Sequence, residues 1–446
     1  MATAYQTNPS LLASRAQLRA TDEGIQKALS GWRPTVTLSG SAGRARDEGY
    51  FLNPATQAGM RELIYRNPRQ GGINLDQPIM TFGRVEADLN RSEQLVLDGR
   101  ARLDIAEQNM LIDVVTAYTD VLRDQEVVDL ERGAIDLYTR QRDAARARLE
   151  RHDATTADVA QAESRLAQAF ADLHGAEAKL ETSRNAYTKV VGTPPGTLIE
   201  PKPLGNLPLT DEEVRARAEN QPNVRSARFV LAAAEQDIRV AEAERWPKLD
   251  LQGSLSRSSG YIIDRRDDRA EITLALTVPL YQQGLVDARE REARQTYVQR
   301  ARELENARRE ALELANSTWQ NLIAARSRVT DFEEQRRAAI AAARGVEAEY
   351  RLGERTLLNV LDAQREALQA QISLEQAQRD VVVTSYQMAA AVGDLSAKRL
   401  NLDTKLYDPT VHYNETRDRW FGLGGGIGTE PVMNETPTKI PERLPQ

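Results

Sequence analysis

The sequence predicts a mainly α-helical chain with a membrane β-barrel portion, built as a duplicated half-subunit of one short helix, two strands and two long helices. Three observations predict it. A long pattern recurs along the chain, two proline-free stretches carry helical periodicity, and four short segments alternate apolar with polar residues.

The recurrence is direct. "NPSLLASRA" from Asn8 returns as "QPNVRSARF" from Gln221, and "WRPTVTLSG" (32–40) returns as "RWPKLDLQG" (245–253), aligning Pro9 with Pro222 and Pro34 with Pro247. "INLDQPIMTFGRVEAD" (73–88) then matches "LALTVPLYQQGLVDAR" (274–289) at an offset smaller by 12 residues, so the first half has the longer intervening loop. That second offset persists downstream, where "TTADVAQAESRLAQA" (155–169) lies over "TLLNVLDAQREALQA" (356–370). A period this long is a duplicated half-subunit, not a solenoid repeat.

No proline falls between Ile79 and Thr193 or between Leu280 and Asp408. Apolar residues recur there at three- and four-residue spacing (Leu95, Leu103, Ile105, Ile112, Val115, Leu122). A single helix over 84–150 would extend about 100 Å at 1.5 Å per residue, longer than a globular core needs. Alanines on the stripe (Ala144, Ala145, Ala160, Ala162, Ala167, Ala169) permit close helix approach. A composition of 5% aromatic and 28% charged residues agrees with coiled coils. These helices alone would suit a rod-like coiled coil equally well; the strands decide.

Residues 35–42 set Val36, Leu38, Gly40 and Ala42 against Thr35, Thr37, Ser39 and Ser41. Residues 72–80 set Ile73, Leu75 and Ile79 against Asn74 and Asp76. In 248–256, Leu249, Leu251 and Leu255 oppose Lys248, Asp250, Gln252, Ser254 and Ser256. In 271–280, Ile272, Leu274, Leu276, Val278 and Leu280 oppose Glu271, Thr273 and Thr277. An apolar-out, polar-in dyad of about this length is what a transmembrane barrel strand requires. Trp32 and Trp246 stand where the first strand of each half begins, and Phe82 and Tyr281 where the second ends, as membrane-interface rings do. The segments 44–70 and 257–269 read as extramembrane loops. Four strands cannot close a barrel, and an open edge in lipid would leave backbone groups unpaired. The subunit must therefore oligomerise, two copies giving eight strands and three giving twelve.

In this order and in duplicate, the motifs resemble the TolC-type outer-membrane factors. They are the paired asparagine/glutamine–proline helix starts, the Trp/Pro strand starts, the junctions Pro78–Gly83 and Pro279–Gly284, and "YRLGERTLLNVLDAQREAL" at 350–368. The resemblance implies a homotrimer in outer-membrane lipid, with a twelve-stranded β-barrel continued by a periplasmic α-helical barrel. It implies a periplasmic adaptor (membrane fusion protein) and an inner-membrane ABC or proton-driven transporter as partners. It also implies a periplasmic gate: the linking tyrosine falls on Tyr350 and the arginine on Arg355. The aspartate that the tyrosine contacts falls on Asp158, and one ring aspartate falls on Asp362. Asn359 occupies the other ring position, a departure that halves the expected charge. Gly353 interrupts the pattern between Glu347 and Thr356 and marks a turn, with His152–Asp153 at the equivalent point of the first half.

On this reading residues 1–33 are an N-terminal helix of the α-barrel, 34–82 and 247–282 the strand pairs, 83–191 and 283–400 the long helices, and 210–246 the second short helix. Residues 192–209 form an equatorial linker, and 401–446 an equatorial segment and flexible tail, disordered beyond Pro409. Thr210 with Glu213 reads as a capping box. A helical pattern running straight from Met1 suggests that an export signal has been removed.

A net charge of −7 supplies no basic field for nucleic acid. With no cysteine, disulfides and thiol chemistry are excluded. His152, His174 and His412 have no ligand-like spacing, and "GLGGGIG" (422–428) lacks the spacing of a phosphate loop. We expect no enzyme activity, cofactor or metal. The expected function is passive export, chiefly type I protein secretion, with small-compound efflux as the alternative and a soluble periplasmic coiled-coil adaptor or scaffold as the alternative of another class.

Overall fold

The duplication reappears in the element boundaries. Helix α1 (Ala2–Thr7) and helix α2 (Pro9–Leu29) are followed by strands β1 (Thr35–Ala42), β2 (Ala45–Leu52), β3 (Gly59–Arg66) and β4 (Arg69–Met80). Helices α3 (Arg84–Glu150) and α4 (Thr156–Val191) complete the first half. The second half runs α5 (Asp211–Ala218), α6 (Pro222–Ala243), β5 (Lys248–Ser259), β6 (Arg266–Thr277), α7 (Leu285–Arg351) and α8 (Leu357–Ala391), and α9 (Pro409–Arg417) is the last element among the described residues. The computed structural model describes all residues except 53–54, 56–57, 206, 209, 261–265, 418, 421 and 423–446, and the side chains of 51, 60 and 62.

Both α3 and α7 span 67 residues. Each begins after a pair of left-handed residues, Phe82–Gly83 and Gln283–Gly284, which turn the chain from strand into helix. The first helical segment is broken in two, because Pro9 lacks an N–H and Asn8 caps the new start, its Oδ1 accepting from Ser10 N (3.0 Å) and Leu11 N (3.3 Å).

Helices α3 and α4 form an antiparallel hairpin, as do α7 and α8. The seams are small and apolar: Ala145, Ala162 and Ala169 in the first, Ala339, Ala343, Ala367 and Ala370 in the second. Helix α2 packs on α3, and α6 lies between α3 and α7. The largest buried cluster joins Leu11, Leu18, Leu111, Val114, Val383 and Leu395, drawing both halves together near the start of α2 and the end of α4. Each such leucine contributes about 1.5–3 kcal/mol by leaving water.

Four expectations are corrected. The segment 44–70 contains the antiparallel hairpin β2–β3, because Tyr50, Leu52, Leu63 and Tyr65 supply an alternation hidden among charges. Strand β6 ends at Thr277, so Val278 and Leu280 lie beyond it, where Pro279 cannot donate to a ladder. Residues 409–417 form helix α9, docked on α2 through His412 Nδ1 and the buried Asp22 carboxylate at 3.0 Å. Most of "GLGGGIG", and the tail from 423, lie outside the described residues. Thr210 accepts from Glu213 N (3.3 Å) while the Glu213 carboxylate pairs with Arg217, so that cap is one-sided.

Two half-buried carboxylates hold the packing beside the large cluster. Glu107 accepts from Ala397 N at 2.6 Å, and Asp104 pairs with Arg225 at 3.0 Å. Burial raises both pKa values, and for Glu107 the neighbouring Asp104 raises it further. Raised folded pKa values favour the neutral forms, so the stability contributed is whole below the ordinary carboxylate range and declines as pH rises through the raised values. Glu107→Gln keeps an acceptor for Ala397 without a buried charge. It should raise the melting temperature by about 2 °C at neutral pH and flatten its decline above about pH 5, as followed by circular dichroism.

Candidate functional site: a two-faced sheet and a helical tip

The four long strands form one antiparallel sheet in the order β1-β4-β5-β6. Directly paired residues share a face, so the register decides how the four alternations combine. Val36 pairs with Leu75 and Leu38 with Ile73; Ile73 pairs with Leu255; Leu251 pairs with Leu274 and Leu249 with Leu276. All four apolar stripes therefore merge on one face. Thr37, Asn74, Ser254 and Glu271 form a row on the other, as do Thr35, Asp76, Gln252 and Thr273. Within the chain the apolar face is uncovered: Leu38 is 82% exposed and Ile272 80%.

The polar face opens at its foot onto a cavity of about 820 Å³, lined by Asp76, Asp250 and Gln252 from the strands and by Lys27, Arg84 and Arg289 from the helices. Polar strand face and helical junction thus share one water-accessible compartment.

At that junction the aromatic residues divide. Phe82 and Trp246 stack with ring centroids 6.3 Å apart and planes within 15°, joining the exit of the first strand pair to the start of the second. Trp32 ends a 3-10 turn, and its carbonyl accepts from Gln77 Nε2 at 2.9 Å. Tyr281 projects from the second junction, 85% exposed.

At the far end, the residues assigned to a gate have other local duties. Asp158 and Asn359 are the third helical residues of α4 and α8, and each completes a capping box. Asp158 Oδ2 accepts from Thr155 N (2.9 Å) and Oγ1 (2.8 Å); Asn359 Oδ1 accepts from Thr356 N (3.2 Å) and Oγ1 (2.7 Å). No hydrogen bond joins Tyr350 to Asp158 among the described residues. The Tyr350 ring instead lies under the Arg148 guanidinium, 4.9 Å from it, and packs on the Leu357–Leu361 cluster. Arg355 Nε bonds Glu349 at 2.7 Å. Asp362 pairs with Arg165 across α4 and α8 at 2.6 Å. The turns differ in one respect: Gly353 takes the left-handed position (φ +83°) at no steric cost, whereas His152 takes it with a side chain (φ +62°).

Sequence reasoning missed Arg148 and Arg165, which reach across from one hairpin to the other near the tip. It also missed a half-buried network higher up, where Arg379 of α8 reaches Asp120 at 2.9 Å and Arg123 bonds Asp120 (2.9 Å), Asp124 and Gln376 (3.2 Å). Its only signal was a run of charges, Asp120, Arg123 and Asp124, beside the apolar stripe at Val121. Among the described residues no helix is long and apolar enough to cross a membrane, and no acidic or histidine cluster is arranged to hold a metal.

Comparison with known proteins agrees with this architecture. The outer membrane efflux protein family model matches residues 2–193 and 215–394. Outer membrane efflux protein BepC of Brucella suis is 32% identical over 423 residues, covering 94% of this chain and 90% of that protein. Outer membrane protein TolC of Vibrio cholerae is 25% identical, covering 88% and 89%. Alkaline protease secretion protein AprF of Pseudomonas aeruginosa is 23% identical, covering 74% and 70%. The Campylobacter jejuni CmeC outer membrane channel superposes with a TM-score of 0.77 at 15% identity, covering 93% of this chain and 88% of that one. The two-faced sheet continued by long helical hairpins is thus the fold of an outer-membrane channel-tunnel, a trimer with a twelve-stranded β-barrel and a helical barrel, and not of an enzyme. The chain belongs to the outer membrane efflux protein family, the TolC-type outer-membrane factors, and its place is the outer membrane, with the helices extending into the periplasm.

Proposed function

We propose that three copies, joined edge to edge, form a passive export duct fed through a periplasmic adaptor by an inner-membrane transporter. One observation carries the reading: four apolar stripes merge on one sheet face, four polar rows on the other, and the sheet ends in two unpaired edges, β1 and β6. The apolar face then meets hydrocarbon, the polar face lines the pore, and sister copies pair the edges. For the cargo, efflux is favoured by the name and higher identity of outer membrane efflux protein BepC, and polypeptide secretion by that of alkaline protease secretion protein AprF.

The helical tip serves as the gate in this reading. Asp158, Tyr350, Arg355, Asn359 and Asp362 stand at the tip turns, and Arg165–Asp362 and Arg148–Tyr350 tie the hairpins together. Partly exposed pairs are worth roughly 0–1 kcal/mol each. Repeated around a threefold axis they hold a closed tip by a few kcal/mol, which a docking adaptor can match.

The purified chain should require detergent and raise the conductance of a planar lipid bilayer; a monomer soluble without detergent, giving no conductance, would sink the duct and favour a periplasmic scaffold. In a host lacking its own channel, restored resistance to toxic compounds indicates efflux, and protease appearing in the medium indicates secretion. Arg165→Ser combined with Arg148→Ser should raise single-channel conductance severalfold. Tyr350→Phe should leave it unchanged, since the ring and not the hydroxyl makes the contact. Unchanged conductance in the arginine double variant would remove these ties from the gate.

A further inference from the structure

Above the apolar band, the lipid-side face of the sheet changes character. Leu255 and Ile73 close the band, and the next rungs on that face carry Arg257 with Asp268, then Arg69 with Ser259 and Arg266. Arg257 and Arg266 share the single Asp268 carboxylate, at 2.7 and 2.9 Å.

The β2–β3 hairpin continues this face. Ala42 pairs with Arg69, Gly43 N donates to Pro68 O at 2.9 Å, and Ala45 pairs with Arg66. Equal numbers of residues separate the two ladders on both strands, so the side-chain alternation carries through without inversion. Tyr50, Leu52, Leu63 and Tyr65 therefore fall on the side of Val36 and Leu38, as do Arg46 and Arg61, which share Glu48. Tyr50 is 75% exposed and Tyr65 70%. The base of this arm is set by Gly260 (φ +78°), where a Cβ would lie 2.0 Å from Asn67 O.

Above the band, this face thus presents Arg46, Arg61, Arg69, Arg257 and Arg266 against two acids, Glu48 and Asp268. The opposite face balances Arg66 and Arg269 with Asp47 and Asp267. The basic excess and the exposed rings share one side.

A two-stranded hairpin has no core of its own and is marginal in water. Its ladder of eight pairs extends about 27 Å at 3.4 Å per residue, and its ring-bearing face is continuous with the hydrocarbon-facing surface. Tyrosines over an apolar face suit the lipid interface, and guanidinium forks match phosphate oxygens.

We propose that this outer collar binds the phosphorylated headgroups of the glycolipid in the membrane's outer leaflet. The proposal rests on the reading that the apolar face meets lipid. The full-length trimer in non-ionic detergent should bind intact lipopolysaccharide about tenfold more tightly than phosphatase-treated lipopolysaccharide, measured by titration of fluorescently labelled lipid. Arg46→Gln with Arg61→Gln and Arg257→Gln should abolish that preference, while Arg66→Gln with Arg269→Gln, on the other face, should retain it. Equal binding of the two lipids by the parent protein, or the same loss in the opposite-face variant, overturns the collar and leaves the duct standing. A parent protein that fails to conduct in bilayers overturns both.

Discussion

Backbone hydrogen bonding at the two ends of a four-stranded sheet is the constraint on which the rest of the molecule depends. Among the described residues, strands β1 and β6 each pair on one side only. In lipid every unpaired N–H or C=O costs several kcal/mol, more than any single side-chain contact here contributes. The sheet is therefore stable in a membrane only when sister copies complete it. This agrees with the exposure of all eight residues of β1 in the isolated chain: one edge pairs with β4, and no intramolecular core covers either face.

The helices inherit the geometry that the barrel imposes. The left-handed pairs at 82–83 and 283–284 turn each strand pair into a helix about 100 Å long, and the Phe82–Trp246 stack joins the two turns across the halves. Within each hairpin the seam is small, apolar and well filled. Between hairpins the large apolar cluster joins Leu111 and Val114 to Val383, whereas nearer the tip Leu357 and Leu361 enter the first hairpin's cluster beside the polar ties Arg165–Asp362 and Arg148–Tyr350. Packed seams resist change, whereas partly hydrated charges exchange their partners for water at little cost. Toward the tip the architecture thus places rigidity inside hairpins and compliance between them, as the proposed gate requires.

Particular residues show where sequence reasoning succeeded and where it stopped. The alternations at Val36–Ala42 and Leu249–Leu255 were legible because a strand in two solvents writes its period directly into the chain. Helix α9 was not, because its docking rests on His412 meeting Asp22 across nearly four hundred residues. The β2–β3 hairpin was masked by the charges between its apolar positions. Resemblance placed the expected gate residues at the tip turns, where Asp158 and Asn359 spend their side-chain oxygens on their own helix starts. The partners of Tyr350 and Asp362 across the hairpins, Arg148 and Arg165, stand on helix surfaces crowded with similar arginines.

By itself, then, the sequence determined the class: periodicity and duplication are local properties, repeated often enough to be read without coordinates. Only the tertiary structure decided that four separate stripes share one face, that the hairpin above extends it, and which arginine meets which carboxylate. Each of these depends on register between segments distant in the chain, and a shift of one residue would have reversed the faces while leaving every local pattern intact.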